Sequence, residues 1–179
     1  GYEFGPADAF VNFGLSNNLY VIGHTLVWHG QTPAWVFRGT NPAPAAATNA
    51  ASPGSAAVAN AGGTNAPGAR RFGGPGGRRG GFTGPRASRE ELLERMREHI
   101  HTVVGRYKGK IKGWDVVNEA INDGGDSITA TTENLRQTQW LKIVGPDYLL
   151  HAFKFAREAD PDVALHYNDY NIESGPKHQ

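Results

Sequence analysis

Apolar positions along the chain switch between two spacings. Pro6 to Asn17 repeats Phe10, Phe13 and Asn17 at helical intervals, and Pro6 suits a first turn, which predicts a helix. Tyr20 to Trp28 is rich in β-branched and aromatic residues and predicts a buried strand. Ser88-Arg-Glu-Glu91 has the form of a capping box, in which hydroxyl and carboxylate each satisfy a free backbone N–H. Leu92, Met96, Ile100 and Val103 then make one helical stripe that ends near Gly105. Ile111 to Asn118 predicts a second strand. Pro146 to Ala159 predicts a helix with Leu149, Phe153 and Ala156 on one face and Pro161 past its end. Val163, Leu165 and Tyr167 alternate with Ala164, His166 and Asn168, which predicts a third strand. Helix–strand repeated three times implies an α/β fold with a parallel sheet and right-handed crossovers, and three strands make an open arc, not a closed barrel.

One stretch has no such pattern. From about Arg38 to Arg86 the chain is Ala, Gly, Pro, Asn and Arg, and no Asp or Glu lies between Asp8 and Glu90. A segment with so little apolar surface cannot offset its ordering entropy, so residues 38–87 are expected to form a disordered, locally basic insert within a domain covering 1–179.

Composition narrows the classes. A length of 179 residues allows one sizeable core, and a net charge of +1 lacks the overall balance of a nucleic-acid or membrane-surface protein. The absence of cysteine excludes disulfides and thiolate metal sites. No apolar run is long enough to span a bilayer. Gly1-Tyr-Glu-Phe-Gly-Pro leads straight into the first helix, without Met or signal peptide, and Gly175-Pro-Lys-His-Gln179 is equally abrupt. Both ends read as cuts through a larger domain.

The chemistry gathers at strand ends. Asn118-Glu119 closes the second strand, and Asn122, Asp123, Gly124 and Gly125 follow. A carboxylate at the carboxyl end of a strand sits where α/β barrels carry their active sites. Beside Trp114, Val116 and Val117 its proton affinity is expected to rise, as acid catalysis near neutral pH requires. The run Gly23-His-Thr-Leu-Val-Trp-His-Gly-Gln-Thr-Pro-Ala-Trp35 crowds His24, Trp28, His29 and Gln31 at the end of the first strand. Indole faces flanked by amides and imidazoles suit sugars. A two-histidine metal site fits less well, because the five-residue spacing points the rings to opposite faces, and no cofactor is called for. Tyr167-Asn-Asp-Tyr-Asn171 ends the third strand. Any one cluster alone is better explained by packing, a helix cap or an Asx turn, but three in succession favour a site.

The segments GHTLVWHGQTPAWVF, LLERMREHIHTVVGRYKGKIKGWDVVNEAIND and AREADPDVALHYNDYNIE resemble glycoside hydrolase family 10, the retaining endo-β-1,4-xylanases. The resemblance covers nearly all of the chain except the insert. It implies the middle of a (β/α)8 TIM barrel, from about helix 2 to strand 5, with xylan or xylooligosaccharide as substrate and a secreted or periplasmic location. It matches Glu119 to the acid/base and Asn118 to the residue holding the 2-hydroxyl of the sugar being cleaved. It matches His24 and Trp28 to that sugar's subsite, with His29 and Gln31 beside them, and Tyr170 and Asn171 to the leaving-group side. The nucleophilic Glu belongs to strand 7, which is not in this chain, and neither are strands 1 and 2 with their substrate-binding Lys. The fragment alone is therefore expected to be inactive. The insert is foreign to the pattern and would replace part of the loop and helix after strand 3.

Two other readings compete. A non-catalytic barrel remnant would bind xylan without cutting it. The tract Arg70-Arg-Phe-Gly-Gly-Pro-Gly-Gly-Arg-Arg-Gly-Gly-Phe82 resembles arginine–glycine RNA-binding segments, in which Arg meets phosphate and Phe stacks on bases. The tract is short and no basic face accompanies it, so an inert spacer is the better reading.

Overall fold

A computed structural model of the protein describes residues 1–40, 84–123, 134–173 and 177. Helix α1 (Gly5–Ser16) leads into strand β1 (Ile22–Trp28) and a 3₁₀ turn (Ala34–Phe37). Helix α2 (Arg89–Arg106), strand β2 (Gly113–Asn118), helices α3 (Gln139–Val144) and α4 (Tyr148–Ala159), and strand β3 (Ala164–Asn168) follow. The strands form one parallel sheet in the order β1-β2-β3. The expected open arc is therefore present.

Burial explains the arrangement. In the central strand β2 all residues except Asp115 are buried, as a parallel strand covered on both faces requires. Gly23 of β1 lies against the Trp114 ring, and a Cβ there would stand 2.2 Å from the indole. Helix α2 presents Leu92, Met96, Ile100 and Val104 to the core, each worth about 1.5–3 kcal/mol when fully buried. Val103 is only partly buried, so the stripe follows Val104 where Val103 was expected. The capping box at Ser88 is formed, with Ser88 Oγ accepting from Glu91 N at 3.1 Å and Glu91 accepting from Ser88 N at 2.9 Å. Helix α4 buries Tyr148, Ala152 and Ala156, so its inner face is rotated from the expected Leu149 and Phe153. Two alanines there let α2 and α4 approach closely.

Helix α1 forms where the spacing predicts it. Its buried residues are Val11 and Gly14, whereas Phe10 and Phe13 face outward. The helix is fastened instead by polar contacts: Asp8 accepts from Arg106 Nε at 2.8 Å and from Tyr107 OH at 3.0 Å. The Arg106 hydrogen bond is the main reason that the Asp8 carboxyl is lowered from 3.8 to about 2. A lowered folded value means that the contact contributes fully above pH about 4 and is lost as pH falls through about 2. Amide protection of α1 is expected to drop across that window, and Asp8→Asn to abolish the drop. An identical pH profile for both proteins contradicts this.

The edges of the proposed insert belong to the fold. Arg38 and Arg86 form an antiparallel bridge, Ala87 N donates to Phe37 O at 3.0 Å, and Thr40 N donates to Glu91 at 3.1 Å. The helix after β1 is α2, which runs from Arg89 to Arg106. Residues 41–83, including Arg70–Phe82, lie outside the described residues.

Candidate active site

Strand register brings the three clusters together. Trp28, Asn118 and Asn168 stand in one row across β1, β2 and β3, at the carboxyl ends of all three strands. A register shift occurs between His24 and Val27 on β1, and another between Asp115 and Val117 on β2. Such bulges re-aim side chains next to active sites. Gln31, Glu119 and Asn171 all take positive φ, at 61°, 53° and 54°. For non-glycine residues this conformation costs of order 1–3 kcal/mol and persists only where surrounding bonds hold it.

Glu119 is partly buried, and Trp28 Nε1 donates to its Oε2 at 3.1 Å. Val117 and Asn118 line the same crevice, with Trp28, His29, Thr138 and Trp140. Trp114 instead points away, its ring 6.3 Å from that of Tyr107. Asn118 is buried, and its side-chain amide meets that of Asn168 at 2.8 Å. With its amide oxygen turned to Trp28, Asn118 accepts from Nε1 at 3.2 Å and donates to the Asn168 carbonyl at 3.2 Å. The indole N–H thus lies between the Glu119 carboxylate and the Asn118 amide. Gly30 backs the same indole, and a Cβ at Gly30 would lie 2.9 Å from the ring.

His29 meets the Trp28 ring edge-on at 5.9 Å, and partial covering of its ring, then the Arg136 charge, pushes its imidazole below the usual value. His24 lies lower on β1, opposite Asp115, where its Nδ1 is 2.9 Å from Asp115 Oδ2. Gln31 and Asn171 are exposed. Tyr170 donates its hydroxyl to Asp123 and lies 3.3 Å from Arg136. Hydrogen bonds from Tyr170, Lys177 and Arg136 hold the Asp123 carboxyl well below the usual range.

Tyr167, already part of the third cluster, has a backbone role that its sequence did not reveal, and Trp140 and Arg136 were not singled out at all. Tyr167 OH accepts from Ala120 N at 3.0 Å and Ile121 N at 3.2 Å, and it donates to Asp169. Desolvation, reinforced by Asp169, pushes this phenol up, so it stays protonated as donor. Trp140 Nε1 donates to Trp28 O at 3.1 Å from the short helix α3, which carries no long periodic stripe. Its one local signal is Thr138, whose hydroxyl caps Leu141 N at 3.2 Å. Arg136, in a segment without periodicity, bonds to Glu119 O.

The chain as a whole is similar to known proteins. The family model described as glycosyl hydrolase family 10 matches residues 1–52 and 81–179. The endo-1,4-beta-xylanase B of Paenibacillus barcinonensis is 42% identical over 170 residues, covering 95% of this chain and 37% of that protein. A beta-1,4-xylanase of Dictyoglomus thermophilum is 37% identical over 178 residues, covering 99% of this chain and 35% of that protein. A crystal structure of the P. barcinonensis xylanase XynB with a conduramine derivative has TM-score 0.69 at 40% identity, over 99% of this chain and 39% of that one. An intracellular xylanase of Thermoanaerobacterium saccharolyticum, solved with xylotetraose, has TM-score 0.67 at 34% identity, over 99% and 42%. The chain spans well under half the length of these relatives. With its parallel TIM-barrel strands and the Trp28–Asn118–Glu119 cluster at their carboxyl ends, this chain belongs to glycosyl hydrolase family 10.

Proposed function

We propose that this segment supplies the acid/base and part of the sugar-binding wall of a retaining endo-β-1,4-xylanase, whose remaining strands provide the nucleophile. The observation that carries this reading is the hydrogen bond from Trp28 Nε1 to Glu119 Oε2 at 3.1 Å, beside the buried amide of Asn118. A fixed indole donor on Oε2 leaves Oε1 to carry the proton that is transferred. In the first step Glu119 protonates the glycosidic oxygen as the C–O bond breaks and the nucleophilic carboxylate bonds to the anomeric carbon. In the second, Glu119 takes a proton from the water that displaces that carboxylate. Retaining enzymes hold the two carboxyl groups about 5–5.5 Å apart. Asn118 holds the 2-hydroxyl, a contact that strengthens as the ring flattens toward an oxocarbenium ion. Trp28 and His24 line that sugar's subsite with His29 and Gln31 beside them, and Tyr170 and Asn171 face the leaving group.

Residues 53–80 fall between the two stretches matched to the family, which supports reading the Gly- and Arg-rich stretch as an insert in a single catalytic domain. The substrate is xylan, or xylooligosaccharides derived from it. Because one similar structure is of an intracellular xylanase, family membership by itself does not carry the expectation of secretion. The test is hydrolysis of xylan by a complete barrel that carries this segment. Release of reducing ends is expected, and a folded barrel that releases none overturns the reading.

A further inference from the structure

Strand β3 holds the N–H groups of the turn that carries Glu119, through Asn168 O and Tyr167 OH, and one side chain takes two of the turn's carbonyls. Glu119 N donates to Asn168 O at 2.9 Å, and Asn122 N donates to Asn134 O at 2.8 Å. Arg136 accounts for the carbonyls between them. Its Nε donates to Glu119 O at 3.0 Å and a terminal nitrogen donates to Ile121 O at 3.2 Å. Its own backbone N donates to Ala120 O at 2.7 Å. The guanidinium is anchored from behind by Asp123 at 3.0 Å and meets the Tyr170 hydroxyl at 3.3 Å, with about a fifth of the side chain exposed. We propose that Arg136 is a positioning residue for the acid/base: by clamping the Glu119 and Ile121 carbonyls, it holds Glu119 at positive φ and so aims the carboxyl at the glycosidic oxygen.

The inference rests on the reading of Glu119 as acid/base. A planar fork spans two carbonyls and a carboxylate at once, which a lysine ammonium cannot do. Without the fork the turn loses its outer carbonyl partners, and Glu119 is free to relax from the left-handed region. The effect should fall on proton transfer and spare sugar binding.

The experiment compares two substrates in the complete domain. Xylan has a leaving group that needs protonation, and dinitrophenyl xylobioside has one that does not. Arg136→Gln is expected to lower kcat/KM on xylan by about 10–100-fold, within the range that general acid catalysis contributes. On the dinitrophenyl substrate kcat/KM should stay within about threefold. Arg136→Lys keeps the charge beside Asp123, and the same selective loss is expected in it. If Arg136→Gln does not fold, the lysine variant decides alone. Equal losses on both substrates, or none on either, overturn the clamp. Glu119→Ala measured in parallel separates the two ideas. Selective loss there with none in the Arg136 variants sinks the clamp alone, whereas no selectivity in Glu119→Ala sinks the acid/base reading and the clamp with it.

Discussion

In a complete barrel, Glu119→Ala is expected to lower kcat/KM on xylan by roughly 10²–10⁴-fold, the usual contribution of a positioned general acid. On a dinitrophenyl xyloside the first chemical step should survive, because that leaving group departs unprotonated. The second step still needs a base, so the glycosyl-enzyme should accumulate and give a burst of released phenolate. The physical basis is the position of the carboxyl: it ends the central strand, and Trp28 Nε1 fixes one of its oxygens. Comparable loss on both substrates would identify Glu119 as a structural residue of the turn. Folding of the variant is not the expected obstacle, since removing the carboxylate deprives only the Trp28 N–H, which the Asn118 amide also reaches.

The second large effect concerns the 179-residue chain on its own. β1 and β3 each have one unpaired edge among the described residues, and unpaired edges are templates for association. Phe10 and Phe13 on α1, Tyr20 and Ile22 beside the β1 edge, and Ile172 after β3 are all exposed. The expected behaviour is aggregation, or a compact state that binds hydrophobic dyes and melts without a sharp transition. The expected activity on xylan is nil, because the attacking carboxylate is assigned to a strand outside this chain. A soluble monomer with a cooperative thermal transition would contradict the stability expectation.

What was legible in the sequence were the elements whose own residues decide them. The α2 stripe and its capping box are local, and the central strand carries Trp114, Val116 and Val117 within six residues, so both were readable to within a residue or two. Parallel order followed from the alternation of helix and strand, and it placed Trp28, Asn118 and Asn168 at one end. The facing of α1 was not legible. Phe10 and Phe13 are the larger apolar residues, but Asp8 and its bonds to Arg106 and Tyr107 set the rotation of the helix. Helix α3 escaped because six residues carry too little periodicity. Arg136, Trp140 and the backbone contacts of Tyr167 escaped for another reason. Each acts on backbone groups far away in sequence, and no local pattern marks a side chain that satisfies a distant carbonyl or amide.

The central claim is that this segment carries the acid/base half of a xylanase site. Its most direct test replaces the corresponding segment of the P. barcinonensis xylanase, with which it shares 42% identity over 170 residues, by this chain. The recipient then contributes the rest of its own length, of which the matched segment is 37%. The measurement is reducing-end release from xylan by the purified chimera, beside the same chimera carrying Glu119→Ala. The account predicts release by the first and a loss of at least about 100-fold in the second. A chimera that melts cooperatively yet releases no reducing ends, or one whose activity survives Glu119→Ala, would contradict it.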